Sequence, residues 1–212
     1  MSDPLSVAIV ELKRDEVMRD LQARVAAGDA PLALLESCRQ GMTLVGERFQ
    51  RGDYFLSELL LAAEIFKAAA ALLEPHLATS QGTEPRGRVV LATMKGDIHD
   101  LGKNILGTLL RAQGFEVHDL GVDVPPAVLL RKVEEIRPHI VGLSALLTTV
   151  FHSMKQAVDL IDRAGLRPGF KLMIGGGVTT PAVKEFVGAD FQSTDATDGV
   201  NFCLAVAAGR DA

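Results

Sequence analysis

The apolar residues of this sequence change their period near residue 87. Before it they keep helical spacing. Leu56, Leu59, Leu60, Ala63 and Phe66 stand at i, i+3, i+4, i+7 and i+10, a single stripe on one helix face. After it, short apolar runs alternate with helical stretches. Strands are predicted over 88–94, 115–120, 139–143, 170–174 and 190–192, with helices over 102–113, 125–136, 150–164, 181–187 and 198–208. Five such βα units leave little choice of architecture. Parallel strands need crossovers, and right-handed crossovers stack helices on both sheet faces. The expected fold is α/β: an N-terminal helical bundle, then a C-terminal doubly wound, Rossmann-like or flavodoxin-like parallel sheet of five strands.

The bundle is expected from three helical stretches. One runs from Pro4 to about Val25, ended by Gly28-Asp29-Ala30-Pro31. The next covers 31–50 and the last 55–76, with Asp53 as the expected N-cap of the last. Residues 79–87 carry Gly, Pro and small polar side chains and read as a linker. The expected domains are therefore 1–78 and 88–212.

Charge and composition exclude several functions. Lys and Arg number 22 against 27 Asp and Glu, a net charge of −5, and no basic patch stands out. A nucleic-acid partner is not expected. The longest apolar runs, such as 89–94 and 140–150, are far short of the ~20 residues a membrane span needs. The start, Met1-Ser2-Asp3-Pro4, has neither the basic nor the apolar region of a signal peptide. Two cysteines, Cys38 and Cys203, cannot build a disulfide framework. A cytoplasmic location and no membrane partner are expected.

In doubly wound sheets, ligands sit beyond the carboxyl ends of the strands. After the first strand comes Gly96-Asp97-Ile98-His99-Asp100-Leu101-Gly102. Asp97 can take one imidazole N–H of His99 and leave the other nitrogen to ligate a metal. Gly102 leaves room against the next helix. After the third strand come Ser144, a hydroxyl, and Leu146, an apolar wall. After the fourth come Gly175-Gly176-Gly177, which permit close backbone approach. Taken singly, each has a plainer reading: a solvated pair, a helix cap, a turn. Their meeting at one edge of one sheet raises the functional reading.

The pattern Asp97-x-His99-x-x-Gly102, then 41 residues, Ser144-x-Leu146, then 28 residues, Gly175-Gly176 resembles the cobalamin-binding signature. That signature belongs to methionine synthases, base-off mutases and the small corrinoid proteins of methyltransferase systems. The helical half is similar to the family's methylcobalamin cap, on Val45-Gly46-Glu47-Arg48-Phe49 and Gly52-Asp53-Tyr54-Phe55-Leu56. The length matches the small corrinoid proteins. By that resemblance the cofactor is cobalamin or a related corrinoid, bound base-off and His-on. His99 is the lower cobalt ligand and Asp97 its partner. Gly102 flanks the inserted nucleotide tail, Ser144 and Leu146 meet the displaced base, Gly175 and Gly176 line the back of the slot, and Thr148 touches the corrin edge. Gly96, Ile98 and Asp100 complete the contact set.

The function implied is that of a methyl carrier. A methyl group is accepted on cob(I) and delivered from methyl-Cob(III) to tetrahydrofolate or coenzyme M. The implied partners are a substrate:corrinoid methyltransferase, a corrinoid:acceptor methyltransferase and a reductive activase. The chain shows no independent catalytic residues. Two alternatives share the fold: a cobalamin-dependent sensor or regulator, and a mutase small subunit. The acidity of residues 1–86, with 9 Lys and Arg against 13 Asp and Glu, argues against a DNA-binding regulator. The bundle argues against a mutase subunit. One departure stands out. In methionine synthase the Asp–His relay continues to a Ser whose counterpart here is Val150, with Thr148 and Thr149 as nearby hydroxyls.

Overall fold

The structure, a computed structural model, describes residues 3–77 and 85–209. The chain divides into two compact units, Met1–Glu84 and Pro85–Ala212. The linker expected over 79–87 lies, at 79–84, outside the described residues.

Among the described residues, the first unit holds four helices: α1 (Pro4–Val10), α2 (Arg14–Ala26), α3 (Pro31–Gln50) and α4 (Leu56–Leu77). The single helix expected from Pro4 to Val25 is thus two. The break is a left-handed residue, Leu12 at φ 60°. Lys13 N–H donates to the Ala8 carbonyl at 2.9 Å and Leu12 N–H to that of Ile9 at 3.0 Å. This is a Schellman ending, which usually carries glycine. With leucine there, no glycine or proline announces it. The break lets α1 cross α3 closely at Gly41, where a Cβ would lie 2.9 Å from the Cβ of Ile9. The Tyr54 hydroxyl donates to the freed Val10 carbonyl. Asp53 is not the cap of α4. The Glu58 carboxylate reaches back to accept from Phe55 N–H at 2.9 Å, and Asp53 pairs with Arg51 instead.

The second unit alternates strands and helices: β1 (Arg88–Thr93), α5 (Leu101–Ala112), β2 (Glu116–Asp119), α6 (Pro126–Ile136), β3 (Ile140–Ser144), α7 (Phe151–Arg163), β4 (Lys171–Gly175), α8 (Pro181–Val187), β5 (Phe191–Ser193) and α9 (Ala196–Ala207). The strands form one parallel sheet in the order β2-β1-β3-β4-β5. Val89, Val90, Leu91 and Ala92 are all buried, as expected of a strand covered by helices on both faces. The chain runs outward from β1 to β2, then returns to place β3 on the other side. The crevice between the ends of β1 and β3 is therefore the topological switch point, where such sheets take ligands. Among the described residues, no helix is long and apolar enough to cross a membrane.

Candidate functional site

Parallel register aligns Thr93 with Ser144, Ser144 with Gly175 and Gly175 with Ser193 at one sheet edge. The segments singled out in the sequence all leave from this row. After β1 the chain turns tightly through Gly96, at φ 98°, into the loop carrying Asp97 and His99.

Asp97 is buried, and an ionised carboxylate is costly there unless hydrogen-bonded. Four donors converge on it. Oδ1 accepts from the backbone N–H of His99 at 2.9 Å and meets its ring Nδ1 at 2.6 Å. Oδ2 accepts from Leu146 N–H at 2.6 Å and Leu147 N–H at 3.2 Å. Burial pushes the Asp97 carboxyl up. The hydrogen bonds from Leu146, His99 and Leu147 outweigh it and hold the group below the usual aspartate range. Asp97 stays ionised and joins the loops that follow β1 and β3.

An ionised carboxylate can only accept, so the ring proton of neutral His99 sits on Nδ1. Its Nε2 then carries a lone pair and has no hydrogen-bond partner among the described residues. The side chain is 49% exposed. Thr93 Oγ1 donates to the His99 carbonyl at 3.2 Å and fixes the backbone beneath the ring. The relay ends at Asp97: neither Thr148 nor Thr149 supplies a hydroxyl to it. Val150 is buried close to Gly96, and Asp97 Oδ2 is taken by the main-chain amides of Leu146 and Leu147.

The other expected residues fall at the same edge in varied settings. Ser144 is half-buried, and its hydroxyl has no partner among the described residues. Thr148 opens a short 3-10 turn and is exposed. Asp100 precedes α5 without capping it by its side chain. Gly102 is exposed, with nothing within 4 Å of where a Cβ would stand. The glycine triplet departs from the simplest reading. A Cβ at Gly176, at φ 109°, would lie 2.0 Å from the Ala145 carbonyl oxygen, so the chain itself occupies that space. At Gly175 it would lie 3.1 Å from the Ser193 carbonyl, and at Gly177 3.2 Å from Leu146 Cδ1. The other histidines stand elsewhere. His139 accepts from Arg88 N–H at the opposite sheet edge, and His152 packs edge-on against Phe186. Sequence reasoning missed Thr93 and the amides of Leu146 and Leu147. Main-chain donors leave no mark on a sequence.

Around His99 the surface is apolar. Ile98 is 72% exposed and Leu101 59%, with Leu146 and Leu147 also exposed. Among the described residues no group of three or more His, Cys, Asp and Glu side chains could hold a metal ion. A bare ion needs three or four protein ligands. One free imidazole nitrogen in an apolar rim suits instead a metal that arrives with its own equatorial ligands on a broad apolar ring. At the same edge Gly102 leaves open space and Ser144 an unpartnered hydroxyl, which would suit a bound organic group.

A family model described as a B12 binding domain matches residues 87–200, and a second of the same description matches residues 1–74. Dimethylamine corrinoid protein 2 of Methanosarcina mazei is 34% identical over 196 residues, covering 92% of each chain. A cobalamin-binding protein from Desulfitobacterium hafniense DCB-2 superposes with a TM-score of 0.83 at 41% identity, over 95% of this chain and 96% of that one. A chain of the methanol:cobalamin methyltransferase complex of Methanosarcina barkeri gives a TM-score of 0.82 at 31% identity, over 97% of this chain and 79% of its own length.

Proposed function

This chain belongs to the B12-binding family of corrinoid proteins, and from that premise we propose that it is the methyl carrier of a multi-component methyltransferase. The observation that carries the reading is the Asp97–His99 pair at the switch point, with Nε2 free. When bound, the corrinoid supplies a cobalt centre that takes up a methyl group and gives it away. The protein supplies position. Asp97 holds the proton at His99 Nδ1, so that His99 offers Nε2 as the lower ligand in a base-off, His-on arrangement. The Ser144 hydroxyl holds the displaced base and Leu146 packs on it. Gly175 and Gly176 back the slot, Gly102 leaves room for the tail, and Thr148 contacts the ring edge. Gly96, Ile98 and Asp100 line the remainder. The domain assignment goes with this reading: 1–78 as the cap and 88–212 as the corrinoid-binding domain.

The methyl donor is selected by a substrate:corrinoid methyltransferase. The methyl group leaves through a corrinoid:acceptor methyltransferase to tetrahydrofolate or coenzyme M, and a reductive activase restores the reduced cofactor. Support comes from the relatives, whose names place them in dimethylamine and methanol systems.

The test uses protein labelled with nitrogen-15 in histidine alone, loaded with unlabelled cobalamin and reduced to cobalt(II). A doublet splitting in its electron paramagnetic resonance spectrum is expected from the labelled imidazole. A triplet from the cofactor's own base overturns the ligand assignment. Incubating holoprotein further reduced to cob(I) by an added low-potential reductant with methanol, methylamines, methoxyaromatics and betaines tests the carrier role. Methylation is expected only with a partner methyltransferase, and rapid methylation without one overturns it.

A further inference from the structure

We propose that Asp123, outside the cobalamin-binding signature, is the positioning residue of the turn that presents His99. It lies on the loop between β2 and α6. Its backbone is left-handed, at φ 52°, a state uncommon for a non-glycine residue though tolerated by aspartate, and one that its surroundings hold in place. Those surroundings are the His99 loop. Asp123 N–H donates to the Asp97 carbonyl at 3.0 Å, while its Oδ1 accepts from Gly96 N–H at 2.8 Å. One residue thus grips the 96–97 pair at both ends, through its main chain and its side chain. The neighbouring bonds continue the grip: Lys95 N–H to the Val124 carbonyl at 2.9 Å, and Val124 N–H to the Thr93 carbonyl at 3.0 Å.

The same segment also holds the far end of the loop. Asp119, at the end of β2, accepts from Lys103 Nζ at 2.6 Å, and Lys103 is buried in the first turn of α5. The His99 loop is therefore anchored before Asp97 and after His99 by residues 119–124. Asp97 can aim its carboxylate at the His99 ring only while the 96–97 peptide keeps its orientation. Asp123 sets that orientation without touching the imidazole.

The role serves the reading of His99 as cobalt ligand, but its first readout needs no cofactor. In cofactor-free protein the proton between His99 Nδ1 and Asp97 should give a downfield, slowly exchanging proton resonance coupled to the ring nitrogen. Asp123→Ala and Asp123→Gly remove the acceptor for Gly96 N–H, and both are expected to speed exchange of that proton about tenfold or more, as losing a hydrogen bond to a charged acceptor does. Asp123→Asn keeps an acceptor and a residue tolerant of the left-handed state, and it is expected to behave as wild type. Circular dichroism and thermal melting check the fold. Should Asp123→Ala fail to fold, the Gly and Asn variants decide. Wild-type exchange in Asp123→Gly would show that only the backbone shape matters and overturn the proposal, as would loss of the resonance in Asp123→Asn. In loaded protein the Ala and Gly variants should also lose histidine coupling to cobalt(II). If wild-type holoprotein shows no such coupling, the ligand assignment falls while the exchange result still decides the role of Asp123.

Discussion

Replacing Asp97 by Asn exchanges one carboxylate oxygen for an NH2 group at the centre of a saturated cradle. The carboxylate accepts from four donors, and the amide offers one oxygen. Turned with its NH2 toward Leu146 and Leu147, it would orphan two main-chain N–H groups that cannot rearrange, at about 1–3 kcal/mol each. Turned the other way, the oxygen keeps Leu146 and Leu147, and only the backbone N–H of His99 is left unpaired. The NH2 group then faces His99 Nδ1. It can donate to Nδ1 only if the ring proton moves to Nε2. The second orientation wins, and Asp97→Asn should cost about 1–3 kcal/mol in the second unit. The larger effect is on the ring, since Nε2 bearing a proton has no lone pair for a metal. Ligation by His99 should weaken about 10–100-fold, while contacts along the nucleotide tail keep the corrinoid bound. Nitrogen-15 shifts of the His99 ring in cofactor-free protein read the tautomer, and urea unfolding reads the stability. A ring that keeps its proton on Nδ1, with a stability loss below about 0.5 kcal/mol, would refute the reasoning.

Gly176→Ala places a Cβ 2.0 Å from the Ala145 carbonyl at φ 109°, and should cost more than about 3 kcal/mol in urea unfolding. Gly102→Ala, with nothing within 4 Å, should change stability by less than about 0.5 kcal/mol, yet lower cobalamin affinity in an absorbance titration if the nucleotide tail uses that space. In the first unit, burial pushes the Asp3 carboxyl up, but bonds from Leu5 N–H, Arg24 and Ser37 outweigh it and hold the group below its ordinary value. A depressed carboxyl stabilises the folded state above its unfolded pKa and loses that contribution as pH falls through the folded value. Melting temperature should therefore drop below about pH 4, and Asp3→Asn should flatten that part of the profile.

The βα alternation made the sheet legible, because buried parallel strands write themselves as continuous apolar runs. Helix ends were harder. Leu12 breaks the first helix in the conformation usually given to glycine, at a cost set against the packing of α1 on α3, and packing partners are not visible in a window of residues. Asp53 looked like a cap by residue type, whereas the actual partner of Phe55 N–H is Glu58, three residues on. At the site, Asp97 and His99 were readable because two side chains two positions apart suffice to suggest the relay. Asp123 was not, because it stands 27 positions from Gly96 and meets it only after β2 pairs with β1.

Three of the four donors on Asp97 are peptide N–H groups, and this bears on how the site ages under mutation. Leu147 can drift through many side chains, and Leu146 through any that still pack on the base, while their contribution to the carboxylate persists, for only proline deletes an amide hydrogen. The carboxylate thus depends here on the path of the chain more than on its letters. Homologues diverging at these positions can keep the same carboxylate cradle, and a comparison confined to side chains would count as lost a site that is still whole.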